Sequence, residues 1–216
     1  MRKTPMTSCA HLRRFPQSSM TSAASSEVSP SAILAVMPAF DPNSYGPVFS
    51  PLLNVDRRRP LGTGEPDSDV RPALKKLSVD SAFAHAKVVD DDMAACCISG
   101  VWLLHDFLDD SHTISQDIDT TSGSFWHAIM HRREGDFWNS KYWFRRVGQH
   151  PAFELIMSQA KRAADAPPRA WDPFAFVDRC EAALGSKQSD MNACLDLQQI
   201  EWESLFDYCY QAAVSK

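Results

Sequence analysis

One run of residues dictates the class of fold. Asp90–Asp110 reads "DDDMAACCISGVWLLHDFLDD". It is too long, and too evenly apolar, for a half-buried strand, which alternates with period 2 and usually spans about 5–6 residues. Its leading aspartates suit the positive end of a helix dipole. The same grammar recurs downstream. "SGSFWHAIMHRRE" reads as a helix with Ser122 or Ser124 as its cap, and Gly135-Asp136 ends it and caps "FWNSKYWFRRV". Gly148 stops that helix, and Pro151 opens "PAFELIMSQAKRAA". "WDPFAFVDRCEAALG" and "SDMNACLDLQQIEWESLFDYCYQAAV" supply two more amphipathic helices. No strand-type alternation stands out. The expectation is an all-α chain with one globular domain of about six helices.

Upstream the composition changes. Residues 1–37 are rich in Ser, Thr and Pro, with few large apolar side chains, and are expected to be a disordered tail. Residues 38–72 are dense in Pro and Gly. They predict an extended arm with little regular structure, packed on the helical domain 73–216 through Phe49, Leu52, Leu53 and Leu61. The basic N-terminus has no apolar h-region behind it, so the expected location is cytoplasmic. No run is long and apolar enough to span a bilayer, so no membrane partner is expected. A net charge of −5 argues against a general nucleic-acid binder. Six cysteines without a CxxC pair read as small buried hydrophobes, not as a zinc ribbon.

The chemistry concentrates in two helices, 92–110 and 122–147. On the first, His105, Asp109 and His112 stand at i, i+4 and i+7. On the second, His127, His131 and Glu134 form a stripe opposite Phe125, Trp126, Ile129 and Met130. A short loop lets the two helices lie antiparallel, so that His105, Asp109, His127, His131 and Glu134 would converge. Imidazole and carboxylate on facing helices are how bundles hold a divalent metal such as zinc, iron or manganese. The outcome would be a His/Asp/Glu/Arg-lined pocket and a metal-dependent hydrolase. The zinc-protease motif is absent, because no Glu follows His127.

Three other readings stand beside it, all without metal. Arg132, Arg133, Tyr142, Arg145 and Arg146 form a basic centre that suits a small anionic molecule. The same arginines could instead pair internally with Asp106, Asp109, Asp110, Asp117 or Asp119. Arg133 in particular falls on the apolar face and demands a carboxylate. The segment "GDFWNSKYWFRRVGQHP" is similar to the second helix of a tetratricopeptide-type hairpin, with Ala128 as the small residue of the first; that implies a surface for a protein partner.

Two further resemblances rest on particular residues. His105-Asp106 after an apolar run, with His85 upstream, resembles the HD-type phosphohydrolases, which would make those side chains metal ligands. "LLHDFLDDSHTISQ", "GSFWHAIMHRREGDFWNSKYWFRRVGQHPAF" and "SPLL…RRPLGTG" resemble a family of bacterial proteins with fungal relatives, over roughly residues 47–155. That resemblance implies an ordered domain beginning near residue 40. The family has no assigned activity, so no catalytic role carries over.

Overall fold

The computed structural model describes residues 39–163 and 170–214; the tail expected over 1–37 lies outside them. The helical unit begins at Ala39. A 3-10 turn (Pro42–Tyr45) leads into ten α-helices among the described residues. They are α1 (Gly46–Leu53), α2 (Arg71–Leu74), α3 (Val79–Ala82), α4 (Asp91–Leu104), α5 (Leu108–Ser115), α6 (Thr121–Glu134), α7 (Phe137–Val147), α8 (Ala152–Ala163), α9 (Pro173–Ala183) and α10 (Gln188–Ala213). Of β structure, the described residues show an isolated antiparallel bridge between Val88 and Val214. The chain is all-α.

The excess over six helices has three sources, one of them the short four-residue helices α2 and α3. The arm is not wholly irregular: α1 forms in it, and Phe49, Leu52 and Leu53 of α1 are buried with Leu61 in the core. The long helix read across 92–110 is in fact two. α4 opens as expected, with the Asp90 side chain accepting from the Met93 N–H. It closes at His105, because Asp106 turns into the left-handed region at φ 64°. The Phe107 N–H then reaches back to the Trp102 carbonyl and the Asp106 N–H to that of Leu103. The rings of Trp102 and Phe107 pack edge to face at 5.4 Å. This is a Schellman closure with its usual hydrophobic contact, but with Asp where Gly is normal. Asp tolerates that backbone better than most residues, though at some cost.

What holds Asp106 there is charge. Its two carboxylate oxygens are taken by Arg133 and Arg59, one each. Gly64 passes directly over the carboxylate. A Cβ on Gly64 would lie 2.6 Å from Asp106 Cγ, so only glycine fits.

α6 is the hub. Every residue from Ser122 to Arg133 is buried, so no polar outer face exists. Its cap is Thr120, whose hydroxyl accepts from the Gly123 N–H; Ser122 and Ser124 lie inside the helix instead. α4 approaches closely enough that a Cβ on Gly100 would meet the Trp126 ring at 2.8 Å. α10 closes the other side through Trp202, whose indole N–H donates to the Gly100 carbonyl. α6 and α7 form the tight hairpin anticipated from the small residues: Ser140 Oγ donates to the Ala128 carbonyl at 2.8 Å. Gly135 at φ 88° separates them, and Asp136 caps α7. Cys96, Cys97, Cys180, Cys194 and Cys209 are all free and buried.

Candidate functional site

Breaking the helix at Asp106 gives α5 its own direction, and that brings His112 onto α6. His112, His127 and His131 each place a ring nitrogen within 4.8 Å of the others. Their ring centroids are 4.4 Å (His112–His127), 4.7 Å (His127–His131) and 5.3 Å (His112–His131) apart. His127 and His131 sit one helical turn apart, as their spacing requires. Both are buried, whereas His112 is half-buried and opens the cluster toward solvent.

Neighbours set the tautomers. The Ser115 hydroxyl has one proton, directed to the His112 carbonyl at 3.3 Å, so His127 Nδ1–H donates to Ser115 Oγ at 3.1 Å. His131 Nδ1–H donates to Glu134 Oε2 at 3.0 Å. Each ring therefore carries its lone pair on Nε2. That of His131 accepts from the Asn139 amide at 3.1 Å. Such partners on the far nitrogen orient metal-ligating imidazoles. Burial, followed by the neighbouring His131, His112 and Arg146, pulls His127 down to about 3; burial likewise lowers His131 against the pull of Glu134. The Trp143 ring covers His127 at 4.0 Å, and the Arg146 guanidinium lies over the Trp143 ring at 4.9 Å.

The predicted ligand set is thus partly assembled. His127 and His131 converge. His105 does not join them: it is buried at the end of α4, and its Nε2–H donates to the Leu52 carbonyl at 2.9 Å. Asp109 is exposed on α5 and lines a different cleft. Glu134 is the hydrogen-bond partner of His131 and not a third ligand. His112, the i+7 member of the first stripe, stands with them instead. A straight-helix reading could place it on the stripe but could not see the kink that aims it.

The HD-type set does not form. His85 Nε2 is bonded to Tyr210 Oη at 2.8 Å, and Asp106 is committed to two guanidinium groups.

The basic centre separates into two populations. Arg132 is fully buried, paired with an equally buried Glu201 of α10 and stacked over the Phe176 ring at 4.6 Å. Arg133 is buried against Asp106 and donates also to the carbonyls of Leu103 and Gly62. Both guanidinium groups serve the structure and cannot receive an anion. Tyr142, Arg145 and Arg146 stay at the surface of α7. Between 92–110 and 122–147, where the sequence predicts a pocket, lies a cavity of only about 10 Å³ bordered by Leu103, Leu104, Ile129 and Arg133. A cleft of about 400 Å³ is lined by Thr63, Gly64, Arg71, Asp106, Phe107 and Asp109 among others, and no residue of α6 or α7 borders it.

Among the described residues, no helix is long and apolar enough to cross a membrane. No family model, curated protein or solved structure matches the chain.

Proposed function

We propose that His112, His127 and His131 bind a divalent transition metal, zinc first, and that the protein is a metal-dependent hydrolase of an anionic substrate. The observation that supports this reading is the cluster of three imidazoles, with Ser115 on His127 Nδ1 and Glu134 holding His131 Nδ1–H. Imidazole suits zinc, iron and manganese in that order of fit, and three nitrogen donors leave a fourth position for water. An ion held there would supply a bound water acidified toward neutral pH, the nucleophile that hydrolysis of an acyl or phosphoryl ester needs. The Asn139 amide, now on His131 Nε2, must turn aside for the metal. Arg145 and Arg146, on the adjoining face of α7, supply positive charge for the anion.

The test is titration of the metal-stripped full-length protein with zinc, cobalt(II) and manganese, followed by calorimetry and elemental analysis. The expected result is about one equivalent of zinc. It should be lost in His112→Ala and in the His127→Ala/His131→Ala double variant, both still helical. A folded wild type that takes up none of the three ions would overturn the reading. It would leave the metal-free alternative, anion binding by Tyr142, Arg145 and Arg146.

A further inference from the structure

The outward face of α7 carries the most unusual surface of the described residues. Trp138 is 72% exposed and Tyr142 42%. A lone exposed apolar side chain is ordinary, but two large aromatic rings in contact at the surface form an apolar patch. The two rings stand at i and i+4, nearly parallel (12°), with centroids 6.2 Å apart. Admitting a third ring between them would need about 7 Å, two ordinary contact distances. They are therefore a preformed aromatic stack that a ring meets from outside, not a sandwich that admits one.

Arg145 lies on the same face, three residues past Tyr142 and seven past Trp138. It is exposed and enters no ion pair among the described residues. Arg146 borders the face on one side and Lys141, held by Asp178, on the other. This local positive charge belongs to a chain of net charge −5.

The platform is continuous with the three histidines. Tyr142 packs edge-on to Trp143 at 5.8 Å, and Trp143 covers His127. Asn139, next to Trp138, bonds His131. Trp143 and Asn139 of α7 thus link the platform to the imidazoles. Its required features are a flat ring for the aromatic pair and a compact anion for the free guanidinium, which matches phosphate in a bidentate fork. A neutral sugar would leave Arg145 without a partner. A nucleic-acid strand would meet an acidic protein with only a few basic groups.

We propose that the Trp138–Tyr142–Arg145 face of α7 binds phosphate monoesters bearing a planar aromatic ring, and that these are the substrate class of the three-histidine site. The second clause rests on the metal reading above; the first does not. The experiment is calorimetric titration of the full-length protein, with and without zinc. The ligands are adenosine 5′-monophosphate, phenyl phosphate and ribose 5-phosphate. Both aromatic esters should bind at least about 5-fold more tightly than ribose 5-phosphate, the lower end of what stacking one ring contributes. Trp138→Ala should weaken the aromatic esters by roughly 5- to 150-fold and leave ribose 5-phosphate unchanged. Arg145→Gln should weaken all three alike. Stronger binding of the adenosine ester would identify a nucleotide, and equal or stronger binding of phenyl phosphate a simple aryl ester.

The proposal fails if ribose 5-phosphate binds as well as the other two, if Trp138→Ala changes nothing, or if no ligand binds. Zinc uptake without ring discrimination removes this inference alone. Ring discrimination in a protein that takes up no metal removes the hydrolase reading and leaves the ring site.

Discussion

The Arg132–Glu201 pair is the strongest single test of how this fold is held. Both side chains are fully buried, and the carboxylate meets two guanidinium nitrogens. Burial alone pushes the Glu201 carboxyl up, and the guanidinium pulls it back. Glu201→Gln preserves shape but removes the charge, leaving Arg132 as an uncompensated cation that cannot neutralise. Breaking such a pair from one side costs about 3–5 kcal/mol. With a urea slope of about 2 kcal/mol per molar, the unfolding midpoint should fall by roughly 2 M. That is a large part of the 5–15 kcal/mol typical of a whole domain. Arg132→Met/Glu201→Leu removes both charges and keeps apolar packing on Phe176. It should stay within about 2 kcal/mol of wild type, far less than the sum of the single changes. Urea unfolding at neutral pH, followed by far-ultraviolet circular dichroism on all three variants, gives the cycle. A Glu201→Gln loss below about 1 kcal/mol, or a double variant worse than Glu201→Gln, would refute the buried-charge argument.

Three further outcomes follow from the geometry. Asp106→Asn keeps the tolerance for φ 64° but leaves Arg133, with a side chain only 3% exposed, without its carboxylate; it should cost about 3–5 kcal/mol by the same unfolding assay. Gly64→Ala puts a methyl group into the Asp106 carboxylate at a φ of +72° and should cost about 2 kcal/mol or more, with Gly62→Ala, which meets nothing, as the mild control. His150 is lowered by burial to about 4, from 6.5 when unfolded, so the unfolded chain binds the extra proton between these values. Its contribution is fully present above about pH 6.5 and is lost as pH falls to about 4, worth about 3 kcal/mol. Because His150 accepts from the Ala152 N–H and bonds Ser122, His150→Asn should be less stable at pH 8 yet show a flatter stability profile across that window; an unchanged slope would remove the assignment.

Much of this molecule was legible in its sequence because helices are encoded locally. The apolar run behind three aspartates announced α4 and its acidic start, and Gly135-Asp136 announced the α6–α7 turn. A four-residue spacing placed His127 and His131 together, since one turn of helix needs no partner to bring side chains into line. The demand of Arg133 for a carboxylate could also be read, because burying an unpaired charge is prohibitive anywhere.

Tertiary structure decided the rest. No glycine marks the end of α4; Asp106 takes a left-handed turn there because Arg59 and Arg133, from distant parts of the chain, both reach its carboxylate. That turn removes His105 and Asp109 from the predicted site and delivers His112. Likewise, nothing near Arg132 signals that it is buried, because its partner Glu201 lies 69 residues away. Periodicity in a sequence reports which face a helix turns inward. It carries no record of which distant charge waits on the other side, and here those long-range ion pairs set where the helices bend and which three histidines meet.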